Sequence, residues 1–231
     1  MIISEKHQFI FIKTRKTAGT SIELGLAKIC GDKGVITPLG NRDEVLRTEL
    51  GIRAPQNFNI PIENYGVMDY LKVVLTLKPR QFYNHNGAVR IKGYTNDEKW
   101  NGFYKFAFDR NPWDKVISSY WFATRGKIRL EEYITSGEAK ENAFNFPLYA
   151  PNGKVIVDKV YRYEDLQNSL NDLSVRFGLE QPMELPRAKG NIRKDKRPYE
   201  EVLTDELIQI IGEEFNDEIK LLGYKPKKSK L

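Results

Sequence analysis

Phe9-Ile10-Phe11-Ile12-Lys13-Thr14-Arg15-Lys16-Thr17-Ala18-Gly19-Thr20-Ser21-Ile22-Glu23 joins an apolar run of strand length to a turn dense in Lys, Arg, Gly, Thr and Ser. A helical pattern follows, with Ile22, Leu26, Ile29 and Cys30 on one face. A strand, a tight basic turn and a helix start together make an anion site. The N–H groups at a helix N-terminus are unpaired, and the helix dipole favours negative charge there. The hydroxyls of Thr17, Thr20 and Ser21 can donate to phosphate oxygens, and Lys16 can carry the counter-charge. The plainer alternative is a solvated basic turn capped by Thr20, since strand–turn–helix connections are routine.

The turn departs from the nucleotide-binding pattern Gly-x4-Gly-Lys-Ser/Thr. Its lysine precedes its single glycine, and the glycine-rich cradle before Lys16-Thr17 is missing. The expected ligand is therefore a phosphate-bearing group outside the standard triphosphate mode.

A second segment has the same plan. Phe103-Tyr104-Lys105-Phe106-Ala107-Phe108-Asp109 alternates and is aromatic-rich, which predicts a strand. Arg110-Asn111-Pro112-Trp113-Asp114 follows, then Val116, Ile117, Tyr120 and Trp121 at helical spacing. Asn111 suits the N-cap, Pro112 the first helical position and Asp114 the first turn. Arg110 then stands at the strand's exit, and Ser118 two turns into the helix. Their structural alternatives are an ion pair with Asp109 or Asp114 and a small residue at a helix contact.

Together the two segments resemble the sulfotransferases that use 3'-phosphoadenosine 5'-phosphosulfate (PAPS), most closely the carbohydrate sulfotransferases and their bacterial relatives. The 5'-phosphosulfate loop of that family is similar to Lys16-Thr17-Ala18-Gly19-Thr20-Ser21, and its 3'-phosphate element to Arg110-Asn111-Pro112-Trp113-Asp114 with Ser118. The similarity continues through Tyr161-Arg162-Tyr163-Glu164-Asp165-Leu166 to the C-terminal helix.

The resemblance implies a single-domain α/β fold over residues 1–224, with a mostly parallel central sheet flanked by helices, like that of P-loop nucleotide hydrolases. Residues 225–231 form a basic tail. It implies that Lys16 contacts the bridging oxygen and 5'-phosphate as a catalytic cation. Thr17, Ala18, Gly19, Thr20 and Ser21 line the same phosphate site, with Lys13 as a second cation. Arg110 and Ser118 hold the 3'-phosphate, for which a planar guanidinium is well suited. A basic loop covering that end corresponds to Pro186–Pro198, within which Arg193 is the chosen residue. No metal is required. Arg15 stands where the family often has proline, which predicts a slightly altered turn.

His85 is the expected general base. The chain has two histidines, and an ordinary imidazole titrates near neutral pH. His7 precedes the strand Phe9–Ile12, at the end opposite the turn, whereas ligands gather beyond the carboxyl ends of parallel strands. His85 lies in the polar turn Phe82-Tyr83-Asn84-His85-Asn86-Gly87-Ala88, a position that resembles the family's histidine upstream of the 3'-phosphate strand. Glu63 and Asp69 are fallback bases.

With 231 residues the chain can build one large α/β domain. Its net charge of +6 is drawn partly from the tail lysines Lys225, Lys227, Lys228 and Lys230, expected to form a solvated end. The remaining excess suits a polyanionic cofactor and an acidic glycan or small-molecule acceptor. No nucleic-acid motif is present, so a basic nucleic-acid-binding module is a rival founded on charge alone. A P-loop-like kinase of nucleotides or small molecules is the other rival.

The lone Cys30 excludes an intrachain disulfide or a cysteine metal cluster, and its place on the apolar face predicts a buried thiol. No secretory-signal pattern or membrane-length apolar segment is found, so a cytoplasmic location is expected. The final Ser229-Lys230-Leu231 matches a peroxisomal address and is read as coincidence in a lysine-rich tail.

The intervening chain is less distinct. Gly31–Asn64 predicts loops and short helices, and Asp69–Leu77 is ambiguous between helix and strand. Asn142–Gly153 reads as an aromatic loop, either packed on the core or offering stacking surfaces to sugar rings. Val155–Tyr161 reads as a strand, with a helix from about Glu164 to Phe177. Thr204 caps a last helix whose apolar face runs from Leu207 to Leu222.

Overall fold

A computed structural model describes residues 1–186 and 193–231. Five strands form one sheet: β1 (Ile2–Ser4), β2 (Phe9–Ile12), β3 (Val35–Ile36), β4 (Tyr104–Asp109) and β5 (Lys159–Arg162). The order across the sheet is β3-β1-β2-β4-β5. β2, β4 and β5 pair in parallel, while β1 pairs antiparallel with both β2 and β3. β1 therefore runs against the other four, and the sheet is mostly parallel as the sequence predicts.

The helices among the described residues begin with α1 (Gly19–Ile29), α2 (Asn41–Glu49), α3 (Val67–Thr76) and α4 (Ala88–Gly93). They continue with α5 (Asp97–Gly102), α6 (Pro112–Thr124), α7 (Leu130–Thr135) and α8 (Glu138–Ala143). The last four are α9 (Phe146–Tyr149), α10 (Leu166–Arg176), α11 (Asp205–Glu214) and α12 (Asn216–Leu222).

Period-2 alternation in the central strands sorts the core into layers. Phe9, Phe11, Phe106 and Phe108 point to one face, where Ile22, Leu26, Leu170 and Leu173 of α1 and α10 cover them. Ile10, Ile12 and Ala107 point to the other, against Ala88, Ile91, Trp100, Phe146 and Tyr149. A third cluster joins Trp113, Ile117 and Tyr120 of α6 to Tyr133, Ile208, Ile211 and Phe215.

Several boundaries differ from expectation for physical reasons. Val155–Val157 joins the second core layer, with the Ile156 amide donating to the Tyr149 carbonyl at 3.0 Å, so only Lys159–Arg162 pairs with the sheet. The aromatic segment Asn142–Gly153 folds into the end of α8, α9 and a 3-10 turn, with Phe146 and Tyr149 buried. It is core packing and offers those rings to no ligand. The last helix breaks at Phe215 into α11 and α12. Asp69–Leu77 resolves as helix α3. The tail is pinned: Lys227 pairs with Glu200 at 3.1 Å, the Lys230 amide donates to the Glu200 carbonyl at 2.7 Å, and the Ser229 amide donates to Asp205 at 2.8 Å. Cys30 is buried, and burial pushes its thiol up to about 12. Among the described residues no helix is long and apolar enough to cross a membrane.

Candidate active site

Parallel pairing of β2 with β4 sends both chains out at the same edge of the sheet, where ligands of such sheets gather. The Thr14 hydroxyl ties the two exits together by donating to the Phe108 carbonyl. A cleft of about 740 Å³ opens beyond them. Lys13, Lys16, Ala18, Gly19, Thr20, Ser21, His85, Arg110, Ser118 and Arg193 all line it.

The turn after β2 is built for close backbone approach. Lys16 (φ 64°) and Ala18 (φ 56°) are both left-handed, a conformation that costs a residue with a side chain about 1 kcal/mol or more. Turns of this type form concave arrays of N–H groups that bind anions. Ala18 is the N-cap of α1 and supplies no side-chain acceptor. At Gly19 a Cβ would come within 3.0 Å of Lys13 Cγ and 3.2 Å of the Thr14 carbonyl, so glycine keeps the turn tight. The Lys16 ammonium lies 4.0 Å from the centre of the Phe122 ring, a cation–π contact that helps aim it.

Two residues of the turn behave otherwise than their types suggest. Thr17 is fully buried beneath the cleft, its hydroxyl 2.9 Å from that of Thr14, so its side chain faces the protein and only its backbone is left for an anion. Lys13 lines the cleft, but its ammonium pairs with the buried Glu23 at 2.8 Å and donates to Asn84 Oδ1 at 2.9 Å. Burial opposes ionisation of Glu23, yet the Met1 amine and Lys13 outweigh it and hold its carboxyl below the ordinary range. Lys13 thus serves the fold as a counter-ion as well as lining the site.

The strand, cap and helix around Arg110 match their sequence reading closely. Asn111 accepts from the amides of Trp113 and Asp114, and Pro112 occupies the first turn of α6. The proposed acidic partners of Arg110 are engaged elsewhere: Asp109 by Lys115 at 2.7 Å, and Asp114 by Arg193 at 3.1 Å. Among the described residues neither pairs with the Arg110 guanidinium, which stacks over Tyr163 at 4.7 Å. Arg193 spans from α6 to the carbonyls of Asp195 and Arg197. The basic residues of 187–192 lie outside the described residues.

His85 sits in a turn fixed by Asn86, whose side chain accepts from the Tyr83 amide at 2.6 Å. Its Nδ1 lies 2.9 Å from the Lys13 carbonyl. A carbonyl can only accept, so the neutral ring carries its proton on Nδ1 and presents Nε2 as the basic atom. Burial, reinforced by the charge of Lys13, lowers the His85 pKa to about 4. Glu63 is an exposed residue of a 3-10 turn, and Asp69 is bound to Arg80, Tyr94 and the Gly66 amide; neither lines the cleft.

The structure adds residues that the sequence reading missed. Asp43, in the first turn of α2, is the one acidic side chain among the lining residues and receives the Thr20 hydroxyl at 3.4 Å. It lies in a stretch of weak periodicity that carries no local signal. Phe122 and Tyr163 each stack on a site cation, and Asn84 fastens the His85 turn to Lys13. Tyr163 lies within the segment Tyr161–Leu166 that the family resemblance covers, which was its available signal.

No family model matches the chain. An uncharacterised protein of Archaeoglobus fulgidus is 31% identical over 117 residues, a match that takes in 46% of this chain and 97% of that protein. The chain belongs to the same family as that archaeal protein. Among solved structures it is similar to a sulfotransferase from Alicyclobacillus acidocaldarius, at 13% identity and a TM-score of 0.44, over 94% of this chain and 96% of that one.

Proposed function

We propose that the chain is a PAPS-dependent sulfotransferase acting on an acceptor hydroxyl or amine, most simply of a carbohydrate, and releasing adenosine 3',5'-bisphosphate. The observation that carries this reading is the meeting of two separate anion elements, Lys16–Ser21 and Arg110/Ser118, in one cleft that also holds His85. The residues fit a ligand phosphorylated at two ends. The N-terminus of α1 has no side-chain cap, and Arg110 is paired with neither nearby acid.

When bound, PAPS supplies a sulfuryl group on a phosphate leaving group. Lys16 and the N–H groups opening α1 stabilise the negative charge gained by that phosphate. Arg110, steadied over the Tyr163 ring, and the Ser118 hydroxyl would hold the 3'-phosphate, for which a guanidinium can give paired donors. Nε2 of His85 takes the acceptor's proton. Asp43 replaces Glu63 and Asp69 as the carboxylate within reach of the cleft.

Calorimetry on the full chain tests the reading. Adenosine 3',5'-bisphosphate is expected to bind at least tenfold tighter than adenosine 5'-monophosphate, since a hydrogen bond to a charged group contributes about 1.5–3 kcal/mol. Arg110→Ala should erase most of that preference. Equal affinities would overturn the assignment, and tighter binding of ATP–magnesium would favour the kinase. A radiolabelled-sulfate transfer screen over glycans, lipids and phenols then identifies the acceptor.

A further inference from the structure

Helix α3 is mounted with its apolar side outward. Its polar edge is the attached one: Asp69 is bound to Arg80 at 2.8 Å, to the Tyr94 hydroxyl at 2.8 Å and to the Gly66 amide at 3.2 Å. On the opposite arc Val67, Val74, Leu75 and the capping Leu77 are 73–88% exposed, and Met68, Tyr70 and Leu71 about half or more. Ile62, just before the helix, extends the same exposed apolar surface.

An amphipathic helix of 10 residues is too short to stand alone in water and is ordinarily stabilised by packing its apolar face. Here most of the apolar face is left uncovered: Tyr70 meets the Tyr65 ring edge-on at 5.6 Å, while Val67, Val74, Leu75 and Leu77 stand in the open. Eight large apolar side chains leave on the order of 800 Å² exposed, above the few hundred Å² of an ordinary monomer and equal to one side of a standard protein interface.

We propose that α3 is a self-association surface, across which two copies of the chain pair about a two-fold axis. Val67, Tyr70, Val74 and Leu77 recur at alternating spacings of three and four, the pattern of a helix–helix seam. A self-complementary patch of this kind closes into a symmetric dimer without leaving a second sticky face. Charge argues for this occupant over a lipid surface. The helix carries one cation, Lys72, and one anion, Asp69, whereas helices that lie on anionic lipid carry an excess of Lys and Arg.

Sedimentation velocity on the full chain reads the outcome directly and is independent of the sulfotransferase reading. At about 50 µM, above the micromolar affinities expected of an interface this size, the wild type should sediment at twice the monomer mass. Val74→Asp combined with Leu75→Asp should give monomer while keeping the near-ultraviolet circular dichroism of the folded core. Val175→Asp, on the exposed side of α10, should leave the dimer intact. A monomeric wild type, or a double variant that stays dimeric, overturns the proposal. A monomeric wild type that co-sediments with phosphatidylglycerol vesicles would assign α3 to a lipid surface instead.

Discussion

At His85, burial and the neighbouring charge of Lys13 both act against the imidazolium, and the Lys13 carbonyl fixes which nitrogen is left as a base. A pKa of about 4 keeps the ring neutral throughout the neutral range. The profile of kcat/KM reports ionisations of the free enzyme. Its acid limb is therefore expected near pH 4, with activity lost as pH falls through that value, where an ordinary histidine would titrate near pH 6.5. A limb near 6.5 would show that the base is solvated or is another group. Stability follows the same sign: between pH 6.5 and 4 the unfolded chain binds the proton that folded His85 refuses, so acidification over that window weakens the fold. His85→Ala should abolish sulfate transfer with bisphosphate affinity retained. Residual transfer that Asp43→Asn removes would move the role to Asp43.

At the scale of elements, the turn after β2 is held from below by a side chain on another segment. Asn145, fully buried between α8 and α9, receives the Arg15 amide at 2.9 Å and donates to the Arg15 carbonyl at 3.0 Å. It also donates to Asp109 at 3.0 Å, so one amide joins the exits of β2 and β4. This two-point clamp on the residue before Lys16 is a means of holding a left-handed turn in place. Asn145→Ala leaves the half-buried amide and carbonyl of Arg15 without this partner, at up to about 1–3 kcal/mol each. Bisphosphate affinity should fall by about tenfold or more, measured by calorimetry on protein whose far-ultraviolet spectrum is unchanged. Wild-type affinity in that variant would show that the turn holds its shape alone.

Across the whole molecule, β4, α6, α12 and the junction of α8 with α9 meet at one buried charge network. Lys115 of α6 lies between Asp109 of β4 at 2.7 Å and Glu218 of α12 at 2.5 Å, all three fully buried. Glu218 also accepts the amides of Asn145 and Phe146, and Tyr149 donates to Asp109 at 2.7 Å. Burial works against the Lys115 charge, but the two carboxylates overcome it and raise its pKa. Burial, with repulsion from Asp109, pushes Glu218 well above the usual carboxylate range despite the attraction of Lys115. Lys115→Met would remove the cation that Asp109 and Glu218 share, at a cost of about 3–5 kcal/mol. For a domain of this size that lowers the melting temperature by roughly 10 °C, readable by calorimetric unfolding. A loss of only a degree or two would mean that a proton held by Glu218 replaces the Lys115 charge and the network reorganises.

The sequence by itself determined the parts whose signal is local. β2 and β4 show as apolar runs, the α6 cap as Asn111-Pro112, and the basic turn as Lys16–Ser21, because periodicity and capping chemistry are written within a few residues of themselves. Tertiary structure decided the rest. Parallel pairing of β2 with β4 brought Lys16 and Arg110 to one edge, and packing turned the Thr17 hydroxyl inward while placing Asp43 in the cleft. The antiparallel β1, the early release of Val155–Val157 from the sheet and the outward apolar face of α3 have the same origin. Which way a side chain points, and what neutralises it, depends on neighbours distant in the chain. Lys13 reads as a second cation of the turn, and only the fold sets Glu23 against it.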